Sequence, residues 1–184
     1  MSVLNSLILH RFLCSSNEIS SIINYLVASP LVTLSFARSF TNLEDEHVEA
    51  IARAHSRTLE SLDISECSHI SWNCVTCLLQ DCRQLHSLNI RDCTELASGD
   101  PKVISSTLRA ASQRLRSLNL RSLLESTSLR VTRQIIEGVS ALKNIQDLRL
   151  CDSANLSDEM VELVLYSAFY SSAQCLHPFL NPQV

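Results

Sequence analysis

The 184-residue chain predicts an α/β solenoid, a horseshoe of about six coils with parallel strands on the concave side and helices on the convex side. Three observations lead there. Leu59, Leu62, Ile64 and Cys67 stand at spacings of three, two and three, and Leu85, Leu88, Ile90 and Cys93 repeat those spacings 26 residues later. Within a copy, alternation of strand period, with Leu62 and Ile64 inward and Ser61, Asp63 and Ser65 outward, gives way to a stripe of helix period at Val75, Leu78 and Leu79. One copy cannot bury its own apolar side, so neighbours must stack.

The pattern L-x-x-L-x-L-x-x-N/C is the leucine-rich-repeat signature, here in its cysteine form. Taken in order, the first coil begins at Leu4, with Leu7 and Leu9 in its strand and Phe12 where the cysteine would stand. Its helix is carried by Ile19, Ile22, Ile23 and Leu26, and Pro30 stops it. The second begins at Leu31, with Leu34, Phe36 and Ser39, then a helix through Val48, Ile51, Ala52 and Ala54 that Asn42 or Asp45 could cap. The third and fourth begin at Leu59 and Leu85. In the fourth, Gly99-Asp100-Pro101 makes the turn into a stripe of Val103, Ile104, Leu108 and Ala111. The fifth begins at Leu115, with Leu118, Leu120 and Leu123, then Val131, Ile135, Ile136 and Val139. The sixth begins at Ile145, with Leu148, Leu150 and Ser153, then Met160, Val161, Val164 and Leu165.

Successive starts lie 27, 28, 26, 30 and 30 residues apart, so residues 1–176 read as one domain and 177–184 as a tail. After Cys175-Leu176 a seventh strand is due, but Pro178 and Pro182 suit an edge or a stop. The apolar first strand carries no polar cap, which suggests a fragment or short isoform of a longer protein, or an edge covered by another subunit.

Composition narrows the function. A formal charge of −4 supplies no electrostatic pull toward nucleic acid or acidic membranes. With two glycines in the chain there is no phosphate-cradling glycine loop, and neither a nucleophile elbow nor paired catalytic carboxylates can be found, so an enzyme is not expected, nor a cofactor. The start MSVLNSLIL is interrupted by His10 and Arg11 before it reaches a membrane-spanning length, and a cytoplasmic or nuclear location follows as the expectation.

Eight cysteines include the run Cys74-x-x-Cys77-x4-Cys82, whose spacing alone would suit zinc. The repeat register favours packing instead. Cys67 and Cys93 share one position, held elsewhere by Phe12, Ser39, Leu123 and Ser153; Cys82 lies three residues before the next start, with Ala28, Ser56, Ser112, Leu142 and Ala173. Small or apolar residues at both positions predict a buried thiol ladder rather than a metal site or disulfides. Trp72 reads as a core residue, the alternative being an exposed contact, and His55, His69 and His86 as dispersed structural or solvated groups.

With Cys67-Ser68-His69-Ile70, Cys93-Thr94-Glu95-Leu96 and the second cysteine at Cys82, repeats three and four resemble the repeat region of F-box/leucine-rich-repeat proteins, the substrate receptors of SCF-type ubiquitin ligases. The resemblance implies the substrate-reading half of such a receptor; the F-box that docks on the Skp adaptor and cullin complex would come from a missing or separate segment. A scaffold or assembly protein outside the ubiquitin system is the alternative.

The outward strand residues are where a protein partner would bind. One column reads Ile8, Ser35, Asp63, Asn89, Asn119 and Arg149. The next reads His10, Ala37, Ser65, Arg91, Arg121 and Cys151, and the strand-end column reads Arg11, Arg38, Glu66, Asp92, Ser122 and Asp152. Asp63, Glu66, Asn89, Arg91, Asp92, Asn119, Arg121, Arg149 and Asp152 are the candidates, arginine forks taking carboxylates or phosphates of a partner. The same charges could instead pair with one another and only solvate the sheet.

Overall fold

The computed structural model describes residues 4–9, 15–38, 42–125, 127–150 and 155–172, with side chains to residue 167. Six strands alternate with six helices: β1 (Ser6–Ile8), α1 (Ser16–Leu26), β2 (Thr33–Ser35), α2 (Asp45–His55), β3 (Ser61–Asp63), α3 (Trp72–Asp81), β4 (Ser87–Asn89), α4 (Pro101–Ala110), β5 (Ser117–Asn119), α5 (Leu129–Ser140), β6 (Asp147–Arg149) and α6 (Asp158–Ser172). A 3-10 turn over Thr94–Ser98, which the sequence pattern does not announce, precedes α4. The strands form one parallel sheet in chain order, and Leu7, Leu34, Leu62, Leu88, Leu118 and Leu148 face one another in register.

The register explains the strand. The middle leucine points at the helices while its two neighbours point away. At the start of every strand but β1, two successive N–H groups donate to one carbonyl of the previous coil: Glu60 and Ser61 to Val32, His86 and Ser87 to Glu60, Arg116 and Ser117 to His86. After each strand the chain turns sharply. Arg38, Glu66, Asp92 and Ser122 hold equivalent corners at φ of 57 to 66°, the left-handed region, none of them a glycine. Backbone bonds hold these corners down, with the Glu66 N–H donating to the Arg91 carbonyl at 2.8 Å and the Asp92 N–H to that of Arg121 at 3.2 Å.

The helices follow from stripe and cap. Ser15 donates its N–H to the Glu18 carboxylate at the head of α1, Ser71 caps α3 through Cys74 N–H, Asp100 caps α4 ahead of Pro101, and Ser128 caps α5. Neither Asn42 nor Asp45 caps α2. Glu44 stands at that position, and Asp45, already helical, accepts the N–H and hydroxyl of Ser71 at 2.8 and 2.5 Å, tying α2 to the head of α3.

The inner leucines and helix stripes make one core. Trp72 lies in it, its indole N–H donating to the Leu96 carbonyl at 2.7 Å. Cys67, Cys74, Cys82 and Cys93 are buried; burial raises all four thiol pKa values, that of Cys82 to about 11 and that of Cys93 to about 12. Each thiol donates to a backbone carbonyl, Cys82 to Ala52 at 3.6 Å and Cys93 to Ile64 at 3.2 Å.

Several expectations need correcting. Ala28 is exposed and Ser56 and Ser112 are half-buried; the buried position beside Cys82 and Leu142 is filled by His55 and Ala111, because the linkers after α2 and α4 are one residue longer. Leu4 is exposed, and Val161 and Leu165 lie open because no described coil follows α6. His47, a polar residue by sequence, is buried between helices, its Nε2 facing the Ser20 hydroxyl at 3.1 Å and its Nδ1 accepting the Glu44 N–H at 3.1 Å. Phe12, Ser39, Ser153, Ala173, the Cys175-Leu176 strand and the 177–184 tail lie outside the described residues.

Candidate functional site

The face opposite the helices carries two in-register rows. Thr33, Ser61, Ser87, Ser117 and Asp147 form the first; Ser35, Asp63, Asn89, Asn119 and Arg149 form the second. The second row does local work as well. Asp63 accepts the Ser65 N–H at 2.9 Å, Asn89 that of Arg91 at 3.2 Å and Asn119 that of Arg121 at 3.2 Å, so these short side chains build the turn leading to the left-handed corner. Asparagine and aspartate recur here because their oxygen reaches a backbone N–H two residues on. Asp63, Asn89 and Asn119 remain half-exposed.

The adjoining column is less open than the alternation implies. Ala37 and Ser65 are buried, as is Ser35. From Arg91 onward the column opens: Arg91 is half-exposed and Arg121 exposed. His10, Arg11, Cys151 and Asp152 lie outside the described residues.

The charges sort into two sets. Arg38 Nε meets Glu66 Oε1 at 2.6 Å, Arg91 Nη2 reaches the same oxygen at 3.9 Å, and Arg91 Nε meets Asp92 Oδ2 at 2.6 Å. This chain of four groups runs along the corners after β2, β3 and β4, and the Glu66 carboxylate raises the Arg38 pKa. Pairs this open to water are strongly screened, so they order the side chains more than they stabilise the fold. Arg149 turns to Asp147 in its own strand at 3.2 Å. Among the described residues the Arg121 and Arg116 guanidinium groups have no ion-pair partner, and both are exposed.

The structure therefore brings Glu66, Arg91 and Asp92 into contact, lines up Asp63, Asn89 and Asn119 beside them, and leaves Arg121 exposed at one end of that row. Sequence reasoning passed over the serine row and the Glu60–His86 pair, 3.3 Å apart at the strand starts. The serine that precedes the strand leucine at Ser6, Ser61, Ser87 and Ser117 was the signal. Among the described residues no group of three or more His, Cys, Asp or Glu side chains is placed to hold a metal. No helix there is long and apolar enough to cross a membrane.

The chain matches no known family model and no curated protein. Among solved structures it is similar to a tropomodulin C-terminal domain from Caenorhabditis elegans, with a TM-score of 0.61 at 14% identity over 85% of this chain and 95% of that one. At that identity the likeness establishes the leucine-rich-repeat type of solenoid and nothing further.

Proposed function

We propose that this leucine-rich-repeat solenoid is a protein-binding module whose partner lies across the strand ends of β3, β4 and β5. One observation carries the reading: Arg121 is an exposed guanidinium with no ionic partner among the described residues, at the end of a row of ordered, half-exposed polar groups on a rigid sheet. A planar fork so placed suits a carboxylate or phosphate presented by another protein. The finer proposal, substrate recognition for an SCF-type ubiquitin ligase, rests on the resemblance of repeats three and four to F-box/leucine-rich-repeat proteins.

Arg121→Glu tests the surface. Thermal stability is expected to stay within a degree or two, while affinity purification loses the proteins recovered by the unaltered chain. Undiminished recovery removes this face from consideration. Skp and cullin subunits among the recovered proteins support the finer reading, whereas a stable partner set without them supports a scaffold outside the ubiquitin system.

A further inference from the structure

The last described coil differs from the others on the side of its helix that faces forward along the stack. Two positions four residues apart make that side: Ile19 and Ile23 in α1, Val48 and Ala52 in α2, Val75 and Leu79 in α3, Thr132 and Ile136 in α5. All are 3% exposed or less, because the next coil covers them. In α6 the equivalent pair, Val161 and Leu165, is 38% and 49% exposed. The strand beside it is also at the limit of the sheet, since β6 pairs only with β5 among the described residues.

The edge of β6 turned away from β5, unpaired among the described residues, has donors and acceptors ready. Arg116 O and Leu120 N–H of β5 and its turn point toward β6, the first accepting from Gln146 and Asp147, the second donating to Arg149. By the same alternation Gln146 O, both backbone groups of Leu148 and Leu150 N–H point outward from β6. Antiparallel pairing centred on Leu148 would match these groups with their own copies. It would also set Asp147 of each strand directly opposite Arg149 of the other, twice, by symmetry. A three-residue sequence Asp-Leu-Arg is charge-complementary to itself only in this antiparallel arrangement.

We propose that the C-terminal edge of the solenoid is a homodimer interface. β6 pairs antiparallel with β6 of a second copy about a two-fold axis, and Val161 and Leu165 of the two α6 helices cover one another. Two-fold symmetry closes the contact, so the assembly stops at two and leaves the strand-end face of β3 to β5 free in both copies. In the single chain Arg149 turns back to Asp147; in the dimer it exchanges that carboxylate for the one across the axis.

Sedimentation equilibrium of the full chain up to about 100 µM tests this. The unaltered chain is expected as a dimer. Asp147→Arg alone, or Arg149→Asp alone, sets like charges opposite one another and is expected to weaken dimerisation about tenfold or more, since each substitution enters a symmetric interface twice. The double exchange, Asp147→Arg with Arg149→Asp, restores it. Leu165→Lys, at an exposed site whose replacement leaves the monomer folded, also weakens it. A monomer at every concentration, as would result if the chain's own 173–184 segment or another protein covers α6, overturns the proposal, and so does a dimer indifferent to all four variants.

Discussion

Adding one methyl group at Gly99 is expected to unseat the chain's single tryptophan. Gly99 sits at φ −63° and ψ 155°, a conformation open to any residue, so glycine is not needed for the backbone there. It is needed for space: a Cβ would land on Trp72 Cδ1 and lie 2.9 Å from Nε1. Alanine in place of glycine normally gains about 0.4–1 kcal/mol by restricting the unfolded chain. Against that, the buried indole must move, an overpacking cost of about 1–3 kcal/mol, and its 2.7 Å bond to the Leu96 carbonyl is broken or bent, a further ~1–3 kcal/mol for a buried donor left unmatched. The costs outweigh the gain, for a net loss of about 1–5 kcal/mol. Urea unfolding followed by fluorescence reads both halves of the argument, because Trp72 is the only tryptophan. The midpoint is expected to fall and the folded-state emission to change. In a Trp72→Phe background the same Gly99→Ala change is expected to cost at least about 1 kcal/mol less. A loss under about 0.5 kcal/mol with unaltered emission would refute the reasoning.

Three further expectations follow from the coils. Leu118→Ala, at a fully buried position flanked in register by Leu88 and Leu148, is expected to cost about 2–5 kcal/mol in chemical denaturation, and a loss below 1 kcal/mol would contradict its inward placement. Ser122 holds a left-handed corner at φ 66°, so Ser122→Gly is expected to raise or keep the melting temperature while Ser122→Val, β-branched in that region, lowers stability by about 1–3 kcal/mol. Burial lowers the His55 pKa below its usual 6.5, and its Nδ1 has no hydrogen-bond partner among the described residues, so protonation favours the unfolded chain. Its contribution is complete above about pH 6.5 and is lost as pH falls through the lower folded-state value, a dependence that His55→Leu is expected to flatten in unfolding curves measured from pH 7.5 to 5.

Strand positions were readable because their signal is local and repeated. Leu62 and Leu88 announce themselves by spacing, and the in-register pairing of all six central leucines follows once coils stack. What the sequence hid depends on neighbours across coils. His47 looks like a surface residue of an amphipathic helix until Ser20 of the previous coil stands against it. Asp45 resembles a cap, yet its carboxylate serves Ser71 in the next coil. Ser56 and Ser112 were aligned with Cys82 by counting back from the next leucine, and a linker one residue longer shifts the buried position to His55 and Ala111. Val161 and Leu165 fit the helix stripe by period, but the period cannot say whether a following coil exists to cover them. On the candidate face, alternation put Ser65 outward with Arg91, yet Ser65 is buried while Arg91, in the equivalent turn, is half-exposed.

The strand register also sets how the chain can assemble. Every strand finds its partner one coil along, 26 to 30 residues away, and none must wait for a distant terminus. Loop-closure entropy rises only with the logarithm of loop length, so each added coil meets nearly the same barrier as the last. Growth can start wherever two coils first dock and then spread like a zipper in both directions. The middle coils, gripped from both sides, are the natural place to begin and the last to let go, while β1 and β6, each held on one flank among the described residues of a single chain, fray first.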